Sequence, residues 1–211
     1  MQSPAMMEII RKGDEEIARG GGVAITLKNA AVISASVRDG RLSHRVSLCV
    51  QRKLQEVYTS VDMLDLKAFG FPVLTERYAF LLKRNPAPEA SLMAALSDFR
   101  QRLLSADHIY IVSPVYNTSF PAALKNIVDA YYEEWMGKKV GVCTVSSGMV
   151  PGISALQQLQ VLMMAMGATV APGLFTVTQV DKEFDEAGQV QAGTRNEKTV
   201  DDWIKAVRAL K

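Results

Sequence analysis

Three short polar segments hold most of the residues that could do chemistry. The first runs Ser34-Ala35-Ser36-Val37-Arg38-Asp39-Gly40-Arg41-Leu42-Ser43. Its hydroxyls can donate to an anion, its two arginines add charge-assisted bonds, and a helix starting near Ser43 would aim its positive dipole end at the same point. These are the parts of a phosphate cradle. The segment has neither G-x-G-x-x-G nor G-x-x-x-x-G-K-[ST], which disfavours a dinucleotide across the turn and a nucleoside triphosphate. A terminal phosphate on a small cofactor remains. On composition alone, a polar loop whose Ser43 merely caps a helix explains the segment equally well.

The second segment is Pro114-Val115-Tyr116-Asn117-Thr118-Ser119-Phe120-Pro121, leading into Ala122-Ala123-Leu124-Lys125-Asn126. Pro121 suits a first helical turn and Ser119 a cap. An aromatic ring followed by amides and hydroxyls can flank a flat heterocycle and bond its edge; an ordinary strand-to-helix turn is the plainer reading. The third segment, Ser146-Ser147-Gly148-Met149-Val150-Pro151-Gly152, offers two hydroxyls and two glycines that permit close backbone approach. His44 and His108 are the only histidines, and both read as structural. No nucleophile–base arrangement, paired carboxylate motif or H-E-x-x-H is visible.

These segments need elements to hold them. Five apolar, β-rich runs stand at 29–36, 61–66, 108–113, 139–146 and 169–176. Several are apolar on both faces, as in strands covered by helices on each side. Between them lie helical stripes: Val46, Val50, Leu54 and Val57 within 43–58; Leu92, Leu96, Phe99 and Leu103; the stretches 122–135 and 152–166; and Val200, Trp203, Val207 and Leu210. Alternation of strand and helix predicts right-handed crossovers and an α/β, flavodoxin-like three-layer sandwich, with a five-stranded parallel sheet ordered 2-1-3-4-5. Ligands of such sheets bind beyond the carboxyl ends of the strands at the switch point, here between the first and third strands. All three polar segments fall at that end. Residues 1–27 form an N-terminal extension, which Ser3-Pro4 and Gly20-Gly21-Gly22 could bound as a helix packed on a partner subunit but which reads more simply as frayed, and 28–211 form the domain. The aromatic connection 69–88 is long enough to lie over a site or an interface.

Composition narrows the function classes. Of 211 residues, 48% are apolar and 22% charged, as in an ordinary globular domain. A net charge of +2 is too balanced for a general nucleic-acid binder. The most apolar run, 153–170, is broken by Gln157, Gln158 and Gln160, so no membrane span is expected. Cys49 and Cys143 form no disulfide framework, and residues 1–22 lack a signal-peptide core, so a cytoplasmic location is expected.

Taken together, the three segments resemble the NADPH-dependent FMN reductase family, which includes quinone and azo-dye reductases. Ser36-Val37-Arg38-Asp39-Gly40-Arg41 matches a G-S-x-R-x-x-R pattern. Pro114, Tyr116, Asn117, Ser119, Pro121, Leu124-Lys125-Asn126 and Asp129 match P-x-Y-N-x-S-x-P-x-x-L-K-N-x-x-D. Ser147-Gly148 through Gly152, Ala155 and Gln158-Leu159 match a glycine-rich turn followed by R-A-x-E-Q-L-R. The resemblance spans roughly residues 28–178. It implies that Ser36, Arg38 and Arg41 bind the FMN phosphate, with Ser43 closing that loop. It implies further that Pro114, Val115, Tyr116, Asn117 and Thr118 line the isoalloxazine, and that Ser147 and Gly148 meet its pyrimidine edge. Lys125, Asn126 and Asp129 lie on the next helix and read as structural. Departures are Ala35 for the first glycine, Val115 where the family often has Glu, and Ser154 and Gln157 where it often has Arg and Glu.

The implied activity is a ping-pong transfer of hydride from NADPH or NADH through FMN to a flat quinone or azo acceptor. A homodimer or homotetramer is implied as well, with the aromatics of 69–80 and Trp135 as walls of the acceptor site. The weighed alternatives are an FMN electron carrier serving protein partners and a flavin-free contact module. The arginines and slightly basic charge argue against the carrier, and the three-loop match argues against the module.

Overall fold

The structure, a computed structural model, describes residues 28–210; the extension expected over residues 1–27 lies outside them. Six strands form one parallel sheet: β1 (Asn29–Ser34), β2 (Ser60–Asp65), β3 (His108–Pro114), β4 (Lys139–Val145), β5 (Thr169–Val170) and β6 (Thr176–Val177). The order is β2-β1-β3-β4-β5, and β6 also pairs with β4. This is the expected doubly wound order, and Ala31 sits between Asp62 on β2 and Ile109 on β3 at the switch point.

The helices are α1 (Ser43–Gln55), α2 (Leu66–Phe69), α3 (Tyr78–Leu81), α4 (Ala90–Ser105), α5 (Ala122–Ala130), α6 (Ile153–Ala165), α7 (Val180–Glu183) and α8 (Arg195–Arg208). β3 is buried along its whole length, so its alternating side chains feed two cores. On one face Ile109 and Ile111 pack with Leu96, Phe99 and Leu103 of α4, Leu124 and Ile127 of α5, and Leu156 and Leu159 of α6. On the other, Tyr110 and Val112 meet Val46, Val50 and Leu54 of α1 and Val200, Trp203 and Val207 of α8. Each fully buried large aliphatic side chain contributes about 1.5–3 kcal/mol of transfer free energy. α8 approaches β4 closely because Gly141 has no side chain: a Cβ there would lie 2.2 Å from Val207 Cγ2.

Three expectations change. The fifth strand is not continuous over 169–176 but splits into β5 and β6, because Pro172 has no N–H to donate and Gly173 takes φ +122°. The helix expected over 122–135 ends at Ala130, where Tyr131 turns to extended backbone, and a separate 3₁₀ turn, Glu133–Trp135, follows. The connection 69–88 is folded rather than draped: Phe69 and Phe71 stack at 5.0 Å and both meet Phe99 edge-on. Asn126 pins that connection by donating to Pro72 O and accepting from Leu74 N, each at 2.8 Å.

Candidate functional site

At the carboxyl ends of β1, β3 and β4 the loops enclose a cleft of about 330 Å³. Its walls come from the β1–α1 loop (Ser36, Arg38, Asp39, Gly40, Arg41, Leu42), from Ser43, from Pro114, Val115 and Tyr116 after β3, from Val145, Ser146, Ser147 and Gly148 after β4, and from Val180. Nine of the eleven expected site residues therefore share one cleft: Ser36, Arg38, Arg41, Ser43, Pro114, Val115, Tyr116, Ser147 and Gly148.

The other two, Asn117 and Thr118, lie outside the cleft lining. They are the exposed central residues of a tight turn closed by Tyr116 N–H to Ser119 O at 2.8 Å and Ser119 N–H to Tyr116 O at 3.0 Å. Both have positive φ, 49° and 65°. A β-branched residue in that region is strained. The turn aims the Tyr116 ring inward and carries its neighbours outward.

The phosphate-type loop is tied across the sheet. Ser36 Oγ meets Tyr116 Oη at 2.7 Å, and the Arg38 guanidinium lies 3.6 Å from the centre of the Tyr116 ring. Arg41 does not project a bare charge into the cleft. Its Nη1 and Nη2 bond the two carboxylate oxygens of Asp65, and Nη1 also donates to Ser36 O at 3.0 Å. Asp39 is likewise paired, with Lys67. Among the described residues, Arg38 has no carboxylate partner.

Ser43 departs from the cap reading. Leu42 occupies the N-cap of α1, with no side-chain cap bond. The residue lines the cleft, but its hydroxyl is buried and has no hydrogen-bond partner among the described residues. Leaving such a group unsatisfied costs about 1–3 kcal/mol. The amides of Ser43 and His44 have no acceptor in the helix either, whereas Arg45 N–H already donates to Leu42 O at 3.0 Å. The His44 ring turns away from these amides: Nδ1 meets Ser34 Oγ at 3.0 Å, and burial, then the Arg41 charge, holds its pKa below the usual imidazole value.

The remaining walls suit a flat ring. Val115, Val145, Val180 and Leu42 are apolar and Tyr116 is aromatic, while a Cβ at Gly148 would meet nothing closer than 4.0 Å. Gly152 serves packing, not ligand approach, since a Cβ there would lie 2.2 Å from Val115 Cγ2. Trp135 is fully buried and cannot wall the site; Phe69 and Phe71 are half-buried against the core and lie outside the cleft lining. The donor set therefore fits a phosphomonoester attached to a flat heterocycle. Reading the sequence assigned no site role to Asp39, Gly40, Leu42, Val145 and Val180, and named Ser146 only as a hydroxyl of the third segment. The first three lay inside the segment already singled out, and Val145 and Ser146 end a recognised strand. Val180 carried no signal, because its place depends on the split of the fifth strand.

Comparisons agree with this geometry. The family model described as NADPH-dependent FMN reductase matches residues 29–182. An NAD(P)H-dependent FMN reductase of Saccharomyces cerevisiae is 26% identical over 149 residues, covering 68% of this chain and 77% of that protein. A quinone reductase of Pseudomonas putida is 26% identical over 195 residues, covering 86% and 97%. The flavoenzyme NAD(P)H:(acceptor) oxidoreductase FerB from Paracoccus denitrificans superposes with TM-score 0.68 at 19% identity, covering 86% of this chain and 97% of that one. An FMN-dependent NADH-azoreductase from Bacillus anthracis, solved in complex with FMN, superposes with TM-score 0.55 at 12% identity, covering 86% and 98%. The two structural matches share the fold.

Proposed function

We propose that this chain, which belongs to the NADPH-dependent FMN reductase family, is an oxidoreductase that holds FMN in the cleft at the ends of β1, β3 and β4 and passes reducing equivalents from NADPH or NADH to a flat quinone or azo acceptor. The observation that carries the reading is Arg38, which has no carboxylate partner among the described residues and shares one cleft with the start of α1. A phosphate there would neutralise Arg38 and accept from the first free N–H groups of α1.

The protein's part is binding and orientation. Ser36, Ser43 and Arg38 hold the phosphate, with Arg41 keeping the loop in shape. Val115 and Tyr116 line the ring system, and Ser147 with Gly148 meets its polar edge. Bound there, FMN supplies the hydride chemistry. The cleft is open to solvent, and the sequence carries no dinucleotide fingerprint that would give the nicotinamide a site of its own. Both features support successive occupation of one face by nicotinamide and acceptor, a ping-pong scheme. Ile153, Val161 and Met164 lie exposed along α6 with Leu174 beside them, an apolar face that supports assembly as a homodimer or homotetramer. The two free cysteines, both buried, support work in a reducing cytoplasm.

The test is a visible absorption scan of the full-length chain after FMN loading and desalting, then anaerobic addition of NADPH or NADH. Retained flavin bands that bleach with nicotinamide are expected. Bands that persist with both nucleotides would point to an electron carrier instead, and absence of flavin binding on titration would overturn the reading.

A further inference from the structure

Arg38 and Arg41 look equivalent in the sequence, but their surroundings differ. Arg41 is mostly shielded, with side-chain exposure of 15% against 17% for Asp65. Its fork meets both carboxylate oxygens, at 2.6 Å for Nη2, and Nη1 also holds Ser36 O. Asp65 is itself fixed. It closes β2, and its Oδ1 accepts the Lys67 amide at 3.0 Å as the N-cap of α2. Asp65 cannot swing away without uncapping that helix. A continuous set of contacts thus runs from the end of β2 through Arg41 to Ser36, and from Ser36 Oγ to Tyr116 beyond β3.

We propose that Asp65 is a positioning residue for the phosphate. Through Arg41 it holds the Ser36 turn in its binding shape, and it withdraws the Arg41 charge, leaving Arg38 as the cation that meets the phosphate. This rests on the reading that FMN occupies the cleft. A paired, shielded guanidinium braces a loop better than it recruits a ligand, because recruiting the ligand would leave Asp65 half-buried and unpaired. Burial alone would raise the Asp65 pKa. The Arg41 hydrogen bonds and charge, with the Lys67 amide, outweigh it and hold the carboxyl below its usual range. The brace is therefore ionised at neutral pH.

The experiment titrates the full-length chain with FMN and with riboflavin, following flavin fluorescence, in the parent, D65N, R41A and the double variant. D65N and R41A should each weaken FMN by about tenfold. The double variant should be no weaker than either single one, and riboflavin affinity should not move. R41K, which keeps the charge but loses the fork, should behave like R41A and carries the same test if D65N does not fold. Arg41 would prove to be the direct ligand if R41A cost far more than D65N, or if D65N tightened FMN. Equal losses for FMN and riboflavin would reduce Asp65 to general stability, and either result overturns the proposal. If the parent binds neither flavin, the cofactor reading itself has failed, and the role of Asp65 toward it falls too.

Discussion

At each end of β3 a tyrosine hydroxyl meets a polar side chain of another element. At the N-terminal end, Tyr58 Oη lies between His108 Nδ1 and Tyr110 Oη, the latter at 2.9 Å, and all three residues are buried. At the C-terminal end, Tyr116 Oη meets Ser36 Oγ, and Arg38 lies on its ring, exposed on the cleft side. The first cluster is closed, with protein on every side. Burial, followed by the charges of Lys28 and Lys139, pushes the His108 pKa down to about 4, so the imidazole is neutral and inert. The second cluster has one open side and charges not all spoken for. Similar chemistry becomes architecture at one end and a binding site at the other, and the difference is access.

Acid should strain the closed cluster most. Between the ordinary imidazole value of 6.5 and about 4, the unfolded chain binds a proton that folded His108 refuses. Stability therefore falls as pH falls through that window, by up to about 3 kcal/mol for this group. Lys28, Asp107, Lys139 and Arg208 share its field, so the useful quantity is the difference in urea midpoints between the parent and His108→Gln at pH 7 and pH 4.5. Equal slopes in the two proteins would mean that the cluster does not bury a neutral imidazole. FMN binding at pH 7 should be unaffected by this substitution.

The open cluster should respond in the opposite currency. Arg38→Ala removes charge-assisted bonds of about 1.5–3 kcal/mol each and should weaken FMN by about ten- to a hundredfold. Thermal stability and riboflavin affinity should hardly change. If FMN binds the variant as tightly as the parent, Arg38 is not a phosphate ligand. The smallest effect is expected from Tyr116→Phe, which deletes the Ser36 bond and should cost about 0.5–1.5 kcal/mol, read as a few-fold loss of FMN affinity. Tyr58→Phe, its counterpart, should lower the melting temperature and leave flavin affinity alone. A flavin effect there, or none at Tyr116, would blur the contrast between the two ends.

Much of the scaffold was legible in the order of apolar runs, because a strand buried on both faces has no polar alternation to confuse it. The runs at 108–113 and 139–146 correspond closely to β3 and β4. Most of the cleft was legible too, since its polar loops follow those strands directly. What could not be read is partnership across the chain. Nothing near Arg41 announces that Asp65, 24 positions away, takes its charge. Trp135 looked available for a site, but the break after Ala130 turns it into the core. The outward turn of Asn117 and Thr118 needs left-handed backbone, which Thr rarely signals. The break in the last strand was visible as Pro172-Gly173 inside an apolar run, a pattern that argues against a continuous strand.

That break has a use beyond the site. β4 is covered on its outer side in two pieces: Ala171 N–H reaches Val140 O at 2.8 Å, and Thr144 N–H reaches Phe175 O at 3.1 Å. Between them the chain loops away, and Gln160 of α6 donates to Gly173 O at 2.9 Å. This margin of the sheet therefore presents only two-residue rungs, one followed closely by a proline, in place of a long row of open donors and acceptors. Such a margin is a poor template for another chain's strand. On this margin, opposite the six-residue edge strand β2, a single imino acid and the detour it forces discourage edge-to-edge pairing.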